Sequence, residues 1–148
     1  MKIRTATKED IPAMAELLHE LFAVEADFTP HFPTQSKGLE LLLESSNATV
    51  FIAEIDGQVV GMCTLQMHIS TAMGKRVGIV EDVVVDVEHR GKRIGAALLR
   101  RLEEWAKAHG LARLQLQADR DNHPALGFYC RQGWHLTNLI GWMKHLAQ

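Results

Sequence analysis

Gly78-Ile79-Val80-Glu81-Asp82-Val83-Val84-Val85-Asp86-Val87-Glu88-His89-Arg90-Gly91-Lys92-Arg93-Ile94-Gly95-Ala96-Ala97-Leu98-Leu99-Arg100-Arg101-Leu102 is the stretch on which the reading of this chain turns. A β-branched run reads as a strand. It is followed by a basic turn with glycine, and then by an amphipathic helix. At such a junction the unpaired N–H groups and the positive end of the helix dipole converge, and together they make an anion site. A phosphate-bearing cofactor is the expected guest.

Working outward, the helix covers 92–109, with Ile94, Leu98, Leu99, Leu102, Trp105 and Ala106 on its buried face and Gly110 just past its end. Leu114 and Leu116 alternate with Gln115 and Gln117, which makes 111–118 a strand and 79–118 a βαβ-like crossover. Upstream, Val50–Ile55, then Asp56-Gly57, then Val59–Leu65 is a hairpin, because Asp-Gly suits a two-residue turn. The second of these strands runs to about Thr71, Met73–Arg76 turns, and a further strand covers 77–87. Ile3–Ala6 is a first strand. Thr7 caps a helix with Pro12 in its first turn and apolar residues at Ile11, Met14, Leu17, Leu18, Leu21 and Phe22. Residues 23–36 read as irregular and 35–45 as a second helix. Asp121–Pro124 opens another helix that runs to Gln132 and ends at Gly133. A last strand or hairpin is expected over 134–146. The fold class is α/β (α+β): one domain over 1–148, with a mixed, mostly antiparallel sheet flanked by helices in the order β-α-α-β-β-β-α-β-α-β.

The 148 residues carry a net charge of −2, which gives no general case for nucleic-acid binding. Residues 1–60 hold ten acidic against four basic side chains, and 61–148 hold eight against twelve. An acidic front and a basic back suit a cationic substrate and an anionic cofactor, although solvated surface charge accounts equally well for most of these residues singly. Cys63 and Cys130 form no CxxC pair, and Met1–Asp10 carries no apolar run, so it is not expected to be a signal peptide. No stretch approaches the ~18–20 apolar residues of a membrane span. The expectation is a cytoplasmic protein with no membrane partner. The eight histidines show no metal-ligand spacing, so no metal is expected.

The Arg90–Ala96 turn resembles the Arg/Gln-x-x-Gly-x-Gly/Ala turn of the GNAT superfamily of acetyl-CoA-dependent N-acetyltransferases, with Arg93 at the first motif glycine. Asn122-His123-Pro124-Ala125-Leu126-Gly127-Phe128-Tyr129-Cys130-Arg131-Gln132-Gly133-Trp134 is similar to a second block of that family, in family order about 30 residues on. The resemblance implies transfer of an acetyl group from acetyl-CoA to a small-molecule primary amine by direct attack in a ternary complex. A small cationic acceptor is favoured. A protein lysine or N-terminal amine is the alternative within the enzyme class, and a non-catalytic acyl-CoA sensor lies outside it.

It further implies that backbone amides of Arg90, Gly91, Lys92, Arg93, Ile94, Gly95 and Ala96 cradle the pyrophosphate; with ordinary right-handed dihedrals at Arg93, its N–H can still point at phosphate. Val83, Val84 and Val85 would pair their main chain with the pantetheine arm. Asn122 either reaches that arm or caps the helix after it. Tyr129, the only tyrosine, stands at the family's general-acid position, and a phenol of pKa about 10 is protonated at neutral pH. Glu81 and then Asp82 are the candidate bases; only one faces the cleft unless a bulge intervenes. Glu25, Phe28, His31 and His68 are candidate acceptor-lining residues. Trp142 and Met143 either pack in the core or meet a second copy in a homodimer.

Overall fold

The computed structural model describes residues 1–147. By internal contacts the chain divides into Met1–Leu116 and Gln117–Gln148.

The first unit is built on a five-stranded sheet: β1 (Lys2–Thr5), β2 (Ala48–Ile55), β3 (Gln58–Ser70), β4 (Lys75–Val85) and β5 (Leu114–Leu116), side by side in that order. The first three pairings are antiparallel, and β4 pairs β5 in parallel. The β2–β3 turn is the expected tight one. Asp56 (φ 50°) and Gly57 (φ 78°) are both left-handed, as a type I′ turn requires. The parallel step is made by α3 (Ile94–Ala108), which ends as expected before Gly110 at φ 71°.

Side chains of each strand alternate between two helical layers. On one face α1 (Ile11–Val24) and α2 (Phe32–Glu44) lay Met14, Leu18 and Leu39 against Val50, Ile52, Met62 and Val84. On the other face lies α3. The Arg101 guanidinium stacks 4.6 Å from the Phe51 ring, and a Cβ added at Gly61 would sit 3.1 Å from Leu98 Cδ1. Leu98 and Leu102 are fully buried; each contributes about 1.5–3 kcal/mol of burial. Arg4 on β1 fastens the entry to α1: its two Nη atoms each donate to Asp10 at 2.8 Å, and Asp10 Oδ2 also accepts from Thr7 N. No helix of the described residues is long and apolar enough to cross a membrane.

Three expectations need correction. First, α2 begins at Phe32 inside the segment read as irregular, because Pro33 falls in the first turn, where its missing N–H is harmless, and His31 serves as N-cap. Second, β5 keeps three residues rather than the span 111–118; the ladder with β4 closes at Val80–Leu116. Third, in the second unit α4 (His123–Arg131) is followed by no strand among the described residues. Leu136, Leu139, Ile140, Trp142, Met143 and Leu146 do not keep a period of two, and Gly141 passes so near Gln117 that a Cβ there would lie 2.6 Å from its Nε2. Trp142 and Met143 are exposed, not core.

Candidate active site

The β3–β4 ladder slips by one residue in the middle of the sheet. Met62 faces Val84 and Thr64 faces Glu81, so Cys63 alone stands opposite Asp82 and Val83. This is a β-bulge, and Asp82 takes the left-handed conformation at its centre (φ 54°). Residues directly opposite in a ladder share a face, so Glu81 lies on the face of Thr64. Asp82 joins that face as well: the Thr64 hydroxyl is 3.1 Å from both the Asp82 carboxylate and the Glu81 carbonyl, and donates to them. The bulge thus brings both candidate carboxylates to one side. Glu81 is exposed, whereas Asp82 is largely covered. Burial pushes the Asp82 carboxyl up to about 6, the neighbouring Glu81 charge adds to the rise, and the Thr64 hydrogen bond opposes it.

Asp82 closes one end of a cavity of about 380 Å³ between α1, α2 and the sheet. Leu18 and Phe22 come from α1. Gln35, Gly38, Leu39, Leu41 and Leu42 come from α2, with Ser45 just beyond it, and Gln66 comes from β3. The α2 residues recur at helical spacing because one face of the helix forms the wall. The anticipated lining residues sit around this cavity rather than on it. Phe28 packs its ring 5.3 Å from that of Phe22. His31 holds α2 with Nδ1 2.7 Å from Thr34 Oγ1, and its backbone N–H donates to Gln35 Oε1, so it reaches the cavity only through Gln35. Glu25 follows α1 as its C-cap. His68 is exposed near the end of β3, opposite Val77. Thr64, Gln35 and Gln66 went unnoticed in the sequence. The polar alternation Thr64, Gln66, His68 and Ser70 along β3 was the available signal.

Beyond the bulge, Val84 and Val85 pair with Met62 and Gly61 of β3. β5 accompanies β4 only as far as Val80, so among the described residues no strand lies along the other edge of β4 at Val83–Val85. The chain then makes a 3-10 turn over Val87–His89, where His89 Nδ1 lies 2.8 Å from Asp86 Oδ2 and holds that carboxyl below its ordinary range. Arg90 Nε donates to the Val85 carbonyl at 3.1 Å. Gly91 is left-handed (φ 79°), and a Cβ there would meet nothing within 4 Å.

The right-handed condition at Arg93 is not met: it is left-handed (φ 64°, ψ 20°), the conformation for which the motif's glycine is suited. No side chain caps α3, and its first internal bond runs from Ala97 N to Arg93 O. The N–H groups of Ile94, Gly95 and Ala96 therefore have no acceptor within the helix. Uncapped amides beside exposed Arg90, Lys92 and Arg93 fit a diphosphate in charge and in hydrogen-bonding sense.

In the second unit, Asn122 is the N-cap of α4, its side-chain oxygen accepting from Ala125 N at 3.3 Å. Tyr129 sits on α4 with its ring 5.3 Å from Phe128 and 6.1 Å from Trp134, and Gly133 (φ 90°) ends the helix. Cys130 is exposed. No cluster of three or more His, Cys, Asp or Glu among the described residues has metal-binding geometry.

The sequence profile of the acetyltransferase (GNAT) family matches residues 12–134, a span that includes both the uncapped turn and α4. An aminoalkylphosphonate N-acetyltransferase of Salmonella typhimurium is 30% identical over 133 residues, covering 90% of this chain and 84% of that protein. An uncharacterised N-acetyltransferase of Methanocaldococcus jannaschii is 27% identical over 148 residues; the match covers 96% of this chain but 64% of that longer protein. A putative acetyltransferase of Agrobacterium tumefaciens has the same fold, with a TM-score of 0.81 at 22% identity over 99% of this chain and all of that one. The chain belongs to the acetyltransferase (GNAT) family, a family of acyltransferases that use acetyl-CoA.

Proposed function

We propose that this chain transfers the acetyl group of acetyl-CoA directly to a small-molecule primary amine, with both substrates bound at once. The observation that carries the reading is Asp82: a carboxylate held in a left-handed bulge, closing a cavity, and poised near 6 by its burial. A base is most effective when its pKa lies near the working pH. An ordinary carboxylate is too weak to take a proton from an alkylammonium, and raising its pKa narrows that gap. Asp82 is thus assigned the proton of the incoming ammonium, directly or through one water. Glu81, exposed beside it, draws the cation in.

Acetyl-CoA supplies an acetyl group already activated as a thioester. The residues suited to hold its diphosphate are the amides of Ile94, Gly95 and Ala96, with charge from Arg90, Lys92 and Arg93 and close approach allowed at Gly91. The main-chain edge of Val83–Val85 along which no strand of the described residues runs offers groups to the pantetheine amides, as an added strand would, with the Val85 carbonyl held by Arg90 Nε. Asn122 spends its side-chain oxygen on the α4 cap, which leaves only its amide nitrogen for the arm. Tyr129 Oη is assigned the proton for the departing thiolate, since a phenol of pKa about 10 stays protonated while a thiol of about 8.5 is forming.

The Salmonella typhimurium relative is an aminoalkylphosphonate N-acetyltransferase, which supports an amine acceptor here. The test is thiol release from acetyl-CoA across a panel of amines, with Tyr129→Phe beside wild type. Turnover is expected to fall about 100-fold or more in the variant, with acetyl-CoA affinity unchanged. Equal turnover removes Tyr129 from the role. Acetyl-CoA binding without thiol release to any amine favours the sensor reading.

A further inference from the structure

We propose that the acceptor is a monoamine whose ammonium is carried on a single apolar body, aliphatic or aromatic, seated in the cavity between α1, α2 and the β3–β4 bulge. This rests on the transferase reading for its reaction and narrows it to a class of substrate. The walls of the cavity are hydrocarbon, chiefly Leu18, Phe22, Leu39, Leu41 and Leu42. Asp82 is the only ionisable side chain among the residues that line it. One carboxylate neutralises one ammonium. A second ammonium, as in a polyamine, would lie against the leucines, which offer it no partner, since Glu81 stands outside the lining. A phosphonate or carboxylate tail meets neither lysine nor arginine there. Gln35, Gln66 and Ser45 add neutral polarity, and the Gln35 oxygen is already engaged by His31 N.

The acidic surplus of residues 1–60 does not reach this cavity. Asp10 and Glu54 are taken by Arg4. Glu40 and Glu44 line a separate hollow with Lys8, Ile11 and Pro12. None of the ten acidic residues of 1–60 that suggested a cationic acceptor is among the residues that line it. At about 380 Å³ the cavity falls within the roughly 300–1,000 Å³ of ordinary ligand pockets, larger than an ammonium alone needs.

n-Alkylamines from propyl to hexyl share one basicity, so differences in kcat/KM among them report the cavity. Each methylene that leaves water is expected to raise kcat/KM roughly two- to fourfold until the cavity is full. n-Hexylamine and phenethylamine should exceed putrescine by about tenfold or more. Leu41→Glu should invert that order. Leu41 is exposed enough (57%) for the fold to accept a carboxylate, which would meet the second ammonium of putrescine. A flat alkyl series, or putrescine preferred by wild type, overturns the inference while leaving the transferase reading intact. If no amine releases thiol although acetyl-CoA binds, the transferase reading falls. The cavity is then read by thermal stabilisation: phenethylamine above putrescine, reversed in Leu41→Glu, upholds it, and no stabilisation by either amine overturns it.

Discussion

Replacing Asp82 by asparagine separates what the carboxylate does for the reaction from what it does to the fold. Its ordinary value of 3.8 is pushed up to about 6 by burial and by Glu81. An acid whose pKa is higher in the folded state binds its proton more tightly when folded. The fold is then most stable below 3.8, loses stability as pH rises from 3.8 to about 6, and carries a constant deficit above that. At 1.36 kcal/mol for each tenfold change, the full deficit is about 3 kcal/mol. Asparagine keeps the shape and removes the charge. At pH 8 the Asp82→Asn protein should therefore be more stable than wild type by up to about 3 kcal/mol, or roughly 6–12 °C in Tm for a chain of this size. At pH 4 the two should nearly coincide. Denaturant unfolding at pH 4, 6 and 8 measures this, and thiol release on the same samples should fall about 100-fold or more. A stability difference that does not vary with pH, or a variant less stable at pH 8, refutes the reasoning about the bulge.

Arg93 holds a left-handed conformation that costs a side chain about 1–2 kcal/mol, so Arg93→Gly should raise stability by about 1 kcal/mol in denaturant while weakening acetyl-CoA several-fold through the lost charge. Asp10→Ala should cost about 1–3 kcal/mol, because it strands the Thr7 amide and leaves the Arg4 guanidinium to Glu54. Arg4, foremost, holds the Asp10 carboxyl below its ordinary 3.8. Its stabilisation is present above that value and is lost as pH falls through the depressed one, so the gap between wild type and Asp10→Ala should close in acid.

The parts of the fold legible in the sequence were those governed by local chemistry. Asp56-Gly57 sets the hairpin because few other pairs accept two left-handed residues in succession. The spacing of Ile94, Leu98 and Leu102 sets α3, and α3 in turn sets the parallel step. What stayed hidden depends on relations between strands. The bulge is a mismatch between β3 and β4, and neither strand alone betrays it. The resemblance allowed for one, but which of Glu81 and Asp82 faces the cleft was left open. Arg93 offers no hint of left-handed backbone, since arginine rarely adopts it. Pro30 and Pro33 read as breakers, which hid the start of α2 and with it Gln35. The lining was therefore sought at Glu25, Phe28 and His31, and the helical phase of α2 was not read.

The claim beneath the account is that the uncapped start of α3 grips the diphosphate of acetyl-CoA. Calorimetric titration of the protein with acetyl-CoA, with S-acetylpantetheine, which lacks the whole 3′-phospho-ADP moiety, and with adenosine 3′,5′-bisphosphate, which supplies the adenosine end without the diphosphate and should bind weakly, addresses it directly. Saturable binding of acetyl-CoA, at least about tenfold tighter than S-acetylpantetheine, is the predicted result. Equal affinities, or no heat from acetyl-CoA at millimolar concentration, would contradict it.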